Sequence, residues 1–416
     1  MKLLRFFTAG NVDDGKSTLI GRLLFDSNSI STDIIEALTR QTKVKGSDTD
    51  FDLALLTDGL RAEREQGITI DVAYKYFSTP NRKFIIADTP GHIQYTRNMF
   101  TGASTADLAI ILIDVLHGIT EQTKRHTIIS SMLRIPKILV CINKMDLINY
   151  NEETYAQLVK EYQDFAQELG LQNIDFIPVS ALEGENIVKP TEKMTWFQGL
   201  PLLSYLENVE IKESDNSTAS LIQVQYVNNI VDPITHKVSR RFLGRVQSGQ
   251  IGISSKINVW PEGTESKISG IYKYGQSVEK ATEGEIVALQ LSDEIDVSRG
   301  NTISVKDQNI TSSNEWTAKI CWMNNMPYHQ GQKILLQHQS LVTKVKIQEI
   351  IEKIDIHSNL PMDNMDHSIS LNEICTIKFR TAVEMVAQPF ADNRNLGSFI
   401  LIDENTNDTV AGGIIL

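Results

Sequence analysis

The sequence has few cysteines, no long apolar run and no excess of positive charge. Its three cysteines, Cys141, Cys321 and Cys375, lie far apart without metal-ligand spacing, which favours reduced thiols in a cytoplasmic protein. The longest apolar run, residues 108–113, is far too short to span a bilayer, so no membrane association is expected. The formal net charge of −12 argues against a broad basic surface for nucleic acid, and no nucleic-acid partner is expected.

The chain is long enough for two or three domains, and its patterning changes after about residue 210. Before that point, short apolar runs alternate with helix-length segments, which predicts buried parallel strands in a doubly wound α/β domain. A helix is expected over 152–169, ahead of Gly170, and the polar segment 211–219 is a predicted linker. The predicted strands are 3–8, 84–87, 108–115, 138–142 and 176–179.

After the linker, strand patterns separated by glycine-containing turns replace the helices. Segments such as "RFLGRVQSGQIG" and "ISGIYKYGQ" predict an all-β barrel over 217–308. Residues 315–416 are again strand-like, whereas their polar insert "IDIHSNLPMDNMDHS" is predicted to be a loop. The expected domains are therefore 1–210, 217–308 and 315–416.

The segment "GNVDDGKST" carries the first motif with a clear chemistry. It matches G-x4-G-K-S between a predicted strand and a predicted helix, and this context favours a phosphate-binding loop over an ordinary glycine turn. Backbone N–H groups and the positive helix end would hold phosphates, Lys16 would reach the β and γ phosphates, and the Ser17 hydroxyl would bind Mg²⁺. The predicted phosphate-binding residues of the loop are Gly10, Asn11, Val12, Asp13, Asp14, Gly15, Lys16, Ser17 and Thr18.

The motif "DTPGH" follows the next strong strand and supplies candidates for metal binding and hydrolysis. Asp88 can hold Mg²⁺ through water, and the Gly91 N–H can bond the γ-phosphate without obstruction by a side chain. His92 can then orient the attacking water. Alone, this motif is also a good turn, and its position after a phosphate loop is what makes it informative.

The charged segment "LLTDGLRAEREQGITID" lies between these two motifs. Thr69 within it can bind Mg²⁺ only when the γ-phosphate is present, which predicts an order–disorder switch. Arg61 and Arg64 are either catalytic arginines or part of a solvated or partner-binding face.

Two further motifs predict selection of guanine. In "NKMD", the Asp146 carboxylate can accept hydrogen bonds from guanine N1–H and the 2-amino group, a pattern that adenine lacks. Asn143 would contact the base edge and tie the loops together, and the Lys144 stem would cover the base. In "SAL" the Ala181 N–H can meet the guanine carbonyl. The predicted guanine-binding residues, all at the carboxyl ends of strands, are Asn143, Lys144, Asp146, Ser180, Ala181 and Leu182.

With these motifs the chain resembles the translation-factor GTPases, which share "GITI", "DTPGH", "NKMD" and "SAL". The resemblance covers the whole chain and implies a P-loop GTPase domain of α/β class with a mostly parallel sheet, followed by two β-barrel domains, as in elongation factor Tu. Within that superfamily, "GNVDDGKSTLIGRLL" and "DTPGHIQYTRNMFTGAS" are most similar to the large GTPase subunits of bacterial sulfate adenylyltransferases. Translation factors usually have histidines where Asn11 and Asp14 stand here.

This resemblance implies a reaction and a partner. In the sulfate adenylyltransferase family, a separate small subunit binds ATP and sulfate and forms adenosine 5′-phosphosulfate and pyrophosphate. GTP hydrolysis on the large subunit is coupled to that unfavourable synthesis. We therefore expect GTP and Mg²⁺ as ligands and a heterodimer or higher assembly with the small subunit. The chain carries no second phosphate loop, so the adenylylsulfate kinase fused to some family members is not expected in it.

The resemblance also implies roles for individual residues. His92 matches the catalytic histidine of the family, so the expected catalytic set is His92, Lys16 and Thr69. Val12 and Ile68 match an apolar pair that would keep the imidazole from the water until a partner reshapes the site. Asp13 matches an aspartate associated with a monovalent cation, which makes K⁺ a candidate ligand. Hydrolysis is expected to be slow in isolation and faster in the complex.

Two other functions are compatible with the class of fold. A translation elongation factor-type GTPase that delivers aminoacyl-tRNA shares the nucleotide motifs and the barrels, but Asp14 and the "LLTDGLRAEREQ" segment favour the sulfate reaction. A non-catalytic GTP-sensing scaffold would predict loss of His92 or Thr69, and both are present.

Overall fold

The computed structural model divides the chain into two compact units, one up to residue 211 and one from residue 219 onwards. The three predicted domain limits stay predictions. Within the described ranges, no helix is long and apolar enough to cross a membrane. The structure describes residues 2–27, 29–30, 53, 69, 71–92, 95–211, 219–231, 236, 238–306, 310, 312–354, 361–362 and 367–416.

The first unit is built on a six-stranded sheet with the order β2-β3-β1-β4-β5-β6. All neighbours pair in parallel except β2 and β3, so the predicted mostly parallel sheet is confirmed. Strand β4 is buried at every position, because helices cover both faces of such a sheet and its sequence is apolar throughout. The strands are β1 (Lys2–Ala9), β2 (Ala73–Ser78), β3 (Arg82–Asp88), β4 (Leu108–Asp114), β5 (Lys137–Asn143) and β6 (Ile174–Pro178).

Five helices and a 3₁₀ turn connect these strands in the described part of the unit. The predicted helix over 152–169 is confirmed as α4, which begins after Asn151, whose side chain accepts from the Thr154 N–H, and ends just before Gly170 at φ 71°. The helices are α1 (Lys16–Asp26), α2 (Thr96–Ala103), α3 (Glu121–Met132), α4 (Glu152–Glu168) and α5 (Leu202–Asn208), and the 3₁₀ turn is Met145–Ile148.

Strand β2 was not predicted from the sequence. It is an edge strand that pairs antiparallel with β3. Its segment AYKYFS contains no continuous apolar run, because Lys75 stands in its middle, and only Phe77 is buried. A continuous apolar run marks a buried parallel strand, and a half-exposed edge strand does not produce one.

The second unit contains two antiparallel sheets that each close into a ring of six strands, so the two predicted β-barrels are confirmed. In the first, the order β10-β15-β7-β8-β14-β11 closes through pairing of β10 with β11. Along β11 and β14, buried and exposed positions alternate, as expected when one face of each strand fills a barrel. The strands are β7 (Leu221–Val231), β8 (Val238–Ser248), β9 (Gln250–Gly252), β10 (Lys256–Trp260), β11 (Thr264–Lys273), β12 (Gln276–Val278), β13 (Lys280–Thr282), β14 (Ile286–Leu291) and β15 (Thr302–Val305).

The second ring has the order β17-β21-β22-β16-β20-β18 and closes through β17 and β18. The polar insert was predicted to be a loop, and this is wrong for residues 361–362, which form the short strand β19. Strand β18 extends to Ile354, and β19 pairs with its last two residues, Lys353–Ile354. The strands are β16 (Ser312–Trp322), β17 (Ile334–His338), β18 (Leu341–Ile354), β19 (Pro361–Met362), β20 (Ile374–Val386), β21 (Ser398–Asp403) and β22 (Thr409–Ile415).

Candidate nucleotide-binding site

A cavity of about 460 Å³ lies in the first unit, where the segments that follow β1, β3, β5 and β6 meet. Its volume is typical of a small-molecule site. The lining residues are Val12, Asp13, Gly15, Lys16, Ser17, Thr18, Thr69, Gly91, Asn143, Lys144, Asp146, Leu147, Ala181 and Leu182. The structure thus brings the phosphate-loop and guanine motifs to one cavity. The predicted residues Gly10, Asn11, Asp14, Asp88, His92 and Ser180 do not line it.

The phosphate loop is wrapped around the side chain of Lys16. The Lys16 Nζ donates to the backbone oxygens of Gly10 at 3.0 Å and of Asn11 at 2.8 Å, and the side chain is buried. Burial lowers the pKa of this ammonium, while the carboxylates of Asp14, Asp88 and Asp13 oppose the shift. The loop therefore places the Lys16 amino group at the cavity, where the dipole of α1 also favours anions.

The two aspartates of the loop have different environments. Asp13 is exposed, with φ 71°, and lines the cavity. Asp14 is buried, and its carboxylate accepts a hydrogen bond from the Asn11 N–H within the loop. Burial raises the pKa of Asp14. The Asp14 side chain therefore shapes the loop, and its charge is directed away from the space that phosphates would fill.

Gly15 and Gly91 fit the site because each lacks a side chain. A Cβ on Gly15, which has φ 92°, would lie 2.5 Å from the Asn143 Nδ2. A Cβ on Gly91 would lie 2.5 Å from the Lys16 Nζ and 2.6 Å from the Gly10 oxygen. The backbone of "DTPGH" is consequently in close contact with the phosphate loop.

The candidate Mg²⁺ ligands offer only oxygen donors, which is what this cation prefers. The hydroxyl-bearing residues Ser17 and Thr69 line the cavity. Asp88 is buried, and its charge acts on Lys16. Among the residues that the structure describes, no group of three or more His, Cys, Asp or Glu could hold a metal ion. Two hydroxyls and one carboxylate fit Mg²⁺ bound mainly by phosphates and water.

The residues predicted to gate hydrolysis are only partly described. Val12 lines the cavity, whereas Ile68, Arg61 and Arg64 lie outside the described residues. The His92 ring does not line the cavity, and its centroid lies 6.0 Å from that of Tyr95. The apolar gate stays a prediction.

The guanine side of the cavity is held together by Asn143 and Ser180. The Asn143 side chain donates to the backbone oxygen of Asp14 at 2.8 Å and accepts from the Ala181 N–H at 3.0 Å, so it joins the phosphate loop to the "SAL" loop. The Ser180 hydroxyl donates to the Asp146 Oδ1 at 2.5 Å. This bond fixes the carboxylate of Asp146 at the cavity wall.

Sequence reasoning missed two residues that support this side. Asp114, buried at the end of β4, contacts the Lys144 Nζ at 2.8 Å. Burial acts to raise the pKa of Asp114, but hydrogen bonds from Lys144 and the Leu116 N–H outweigh it and hold that pKa below its ordinary value. Buried Arg22 on α1 donates to the backbone oxygen of Ala181 at 3.1 Å. The signals available were an aspartate ending an apolar strand and a lone arginine in an apolar helix.

The buried imidazole of His126 on α3 makes stability depend on pH. Burial, and next the charges of Lys16 and Arg125, lower its pKa from 6.5 to about 3. The unfolded chain binds a proton here below about pH 6.5, and the folded chain does not until about pH 3. Stability is therefore lost as pH falls through this window, by about 2 kcal/mol at pH 5 relative to pH 8.

This prediction is checked by urea unfolding from pH 5 to 8. His126→Gln should reduce the pH-dependent loss by about 2 kcal/mol, whatever its effect at pH 8. The matched control is His329→Gln, since His329 is exposed. Parallel pH profiles for wild type and His126→Gln would contradict the prediction.

Two protein-family models match this chain, one in its first half and one at its end. The model of the elongation factor Tu GTP binding domain matches residues 1–233, which is more than half of the 416 residues. The model described as GTP-eEF1A C-terminal domain-like matches residues 315–416. Among solved structures, the alignment with sup35 complexed with GDP covers 100% of this chain and 94% of that one at 21% identity, with a TM-score of 0.45.

Curated relatives align along the whole chain. "Sulfate adenylyltransferase subunit 1" of Alteromonas mediterranea is 46% identical over 100% of this chain and 87% of its own. The proteins of the same name from Saccharophagus degradans and Bacteroides fragilis are 44% and 45% identical, over 100% of this chain and 87% and 86% of their own. Identity at this level over the full length shows common descent. The chain belongs to the sulfate adenylyltransferase subunit 1 family of GTPases, whose GTP-binding domain is of the elongation factor Tu type.

Proposed function

We propose that this chain is the GTP-hydrolysing subunit of a sulfate adenylyltransferase. GTP hydrolysis on it drives synthesis of adenosine 5′-phosphosulfate and pyrophosphate from ATP and sulfate on a partner small subunit. The observation that carries this proposal is the full-length identity of 44–46% to proteins named sulfate adenylyltransferase subunit 1. The same relatives favour this function over delivery of aminoacyl-tRNA.

GTP binds in the 460 Å³ cavity. Asp146 accepts from guanine N1–H and the 2-amino group, the Ala181 N–H donates to the guanine carbonyl, and the Lys144 stem covers the base. Asn143 contacts the base edge. The phosphates lie on the backbone N–H groups of the loop, with Lys16 at the β and γ phosphates. The support for these roles is that all four side chains line one cavity.

Mg²⁺ is held by the hydroxyls of Ser17 and Thr69 and, through water, by Asp88. When bound, it neutralises negative charge on the β and γ phosphates. Thr69 is the ligand that senses the γ-phosphate. Asp13 takes part in binding a monovalent cation, K⁺ being the candidate, and its exposed position at the cavity supports this role.

Hydrolysis requires water to be aligned with the γ-phosphate. The Gly91 N–H bonds a γ-phosphate oxygen, and the His92 imidazole orients the water. Val12 and Ile68 separate the imidazole from the water until the partner subunit binds. The position of the His92 ring outside the lining of the cavity supports this gated mechanism.

The assembly is a heterodimer, or a higher oligomer of it, in the cytoplasm. The word "subunit" in the names of the relatives supports a partner. The three buried cysteine thiols support a reducing compartment.

The test is GTP turnover by the full chain alone and with the small subunit, ATP and sulfate. The small subunit is taken from the same genome. Turnover is expected to rise at least about tenfold in the complete mixture, because positioning of the catalytic group is worth that much or more. Formation of adenosine 5′-phosphosulfate should increase in parallel when GTP is present.

The control is the same mixture without sulfate, and a second arm replaces the small subunit with ribosomes. Equal turnover with and without the small subunit, ATP and sulfate would contradict the proposed coupling. Stimulation by ribosomes alone would favour the translation function instead.

A further inference from the structure

Helix α3 contacts the hydrolysis motif through a side chain for which the sequence suggested no role. The Gln122 Nε2 donates to the backbone oxygen of Gly91 at 2.7 Å. The Arg125 Nη1, one turn further along the helix, donates to the Gln122 Oε1 at 2.8 Å. We propose that Gln122, oriented by Arg125, is a positioning residue for GTP hydrolysis that fixes the peptide group between Gly91 and His92.

The chemistry of the two side chains determines the direction of this chain of hydrogen bonds. A guanidinium can only donate, so the oxygen end of the Gln122 amide must face Arg125. The amino end is then left to face the Gly91 oxygen, which can only accept. The reversed amide would place two donors together at Arg125 and two acceptors together at Gly91. Arg125 therefore selects the amide orientation in which Gln122 holds the loop.

The peptide group that Gln122 holds lies between a glycine and His92. Gly91 has no Cβ, and glycine has the widest backbone freedom of any residue. Its oxygen belongs to the same planar peptide unit as the His92 N–H, so rotation of that unit would move the start of His92. On the other side of Gly91, its Cα faces Lys16 and the Gly10 oxygen so closely that a Cβ would clash. A hydrogen bond at this peptide consequently fixes the start of the residue that carries the catalytic imidazole.

The element that carries Gln122 is well suited to this task. Helix α3 is capped by Thr120, whose hydroxyl accepts from the Thr123 N–H at 3.2 Å, while the Thr123 hydroxyl accepts from the Thr120 N–H at 3.2 Å. This capping box fixes the first turn, in which Gln122 lies. Arg125 is buried and thus confined. A positioning group on a capped helix holds its partner more accurately than one on a loop.

This inference rests on the proposed hydrolysis of GTP at this cavity. Gln122→Ala removes the hydrogen bond, and Gln122→Glu keeps the shape and the contact to Arg125 but replaces the donor with an acceptor. For both variants we expect single-turnover GTP hydrolysis to be slower by about 10–100-fold, because small misplacement of a catalytic group has effects of this size. GDP affinity should stay within about twofold, since Gly91 and His92, which flank this peptide, are proposed to act at the γ-phosphate, which GDP lacks.

Single-turnover hydrolysis is measured on the full chain, both alone and in complex with the small subunit, and GDP affinity by calorimetry. The matched control is Gln198→Ala, because Gln198 also donates to a backbone oxygen, that of Thr195, but at an exposed position. Wild-type hydrolysis rates for Gln122→Glu would overturn the inference. A loss of GDP affinity as large as the loss in hydrolysis rate would also overturn it. If the small subunit does not stimulate GTP hydrolysis by the wild-type chain, the proposed function is contradicted. The comparison of variant and wild-type hydrolysis rates on the chain alone would still test the role of Gln122.

Discussion

Asp146→Asn is expected to change the preference of this chain from GTP to xanthosine triphosphate. The carboxylate offers two acceptors to guanine, and an amide offers one acceptor and one donor group. The Ser180 hydroxyl donates to the Asp146 Oδ1 at 2.5 Å, and its oxygen already accepts from the Glu183 N–H at 3.3 Å. Ser180 will therefore retain the amide oxygen of the new asparagine. The amino group is left to face the base, where it repels the 2-amino group of guanine and can donate to the 2-carbonyl of xanthine.

The expected size of the change follows from the lost hydrogen bonds. Hydrogen bonds to a charged group contribute about 1.5–3 kcal/mol each, so two of them correspond to a loss of GTP affinity of roughly 10²–10⁴-fold. Xanthosine triphosphate affinity should rise in the same variant. Calorimetric titration of the variant and wild type with both nucleotides measures the two changes directly.

The control for this substitution is Asp164→Asn on α4, where the aspartate is exposed. It should leave the affinity for both nucleotides unchanged. Unaltered GTP affinity in Asp146→Asn would remove Asp146 from the guanine site. An equal loss of affinity for both nucleotides would show that the substitution damages the cavity and does not alter base recognition.

The features that were predicted correctly from the sequence depend on residues that are adjacent in the chain. Buried parallel strands such as β4 and β5 are continuous apolar runs, and each loop motif begins where such a strand ends. The meeting of "GNVDDGKST" and "NKMD" at one cavity follows from that rule, because carboxyl ends of parallel strands share one edge of the sheet. Edge strand β2 was missed because Lys75 interrupts it and leaves no such run.

The contacts that the sequence did not predict join residues far apart in the chain. Gln122 is 31 positions from Gly91, and Arg22 is 159 positions from Ala181. No local pattern marks either side chain, since both occupy ordinary helical positions, and their roles depend on how α1 and α3 pack against loops. The Asp14 carboxylate is a similar case. Only the fold reveals that it turns into the loop towards the Asn11 N–H and does not line the cavity.

Lys16→Ala is expected to abolish useful binding of GTP while leaving the barrels folded. The Lys16 ammonium is the cation that the phosphate loop encloses, held by the backbone oxygens of Gly10 and Asn11. Its removal deletes charge-assisted bonds to two phosphates, a loss of roughly 10²–10⁴-fold in affinity at about 1.5–3 kcal/mol each. The charge of Asp88, which now interacts with Lys16, would then act on the phosphates without compensation by this ammonium. The loss should therefore lie towards the upper end of that range.

Fluorescence titration with a labelled GTP analogue measures the loss, and circular dichroism reports whether the β-rich second unit remains folded. Lys160→Ala is the matched control, because Lys160 lies exposed on α4 and away from the loop. A Lys16→Ala protein that binds GTP within tenfold of wild type would show that backbone N–H groups alone hold the phosphates. In that case the enclosed ammonium would serve the structure of the loop, and the assignment of Lys16 to the β and γ phosphates would have to be withdrawn.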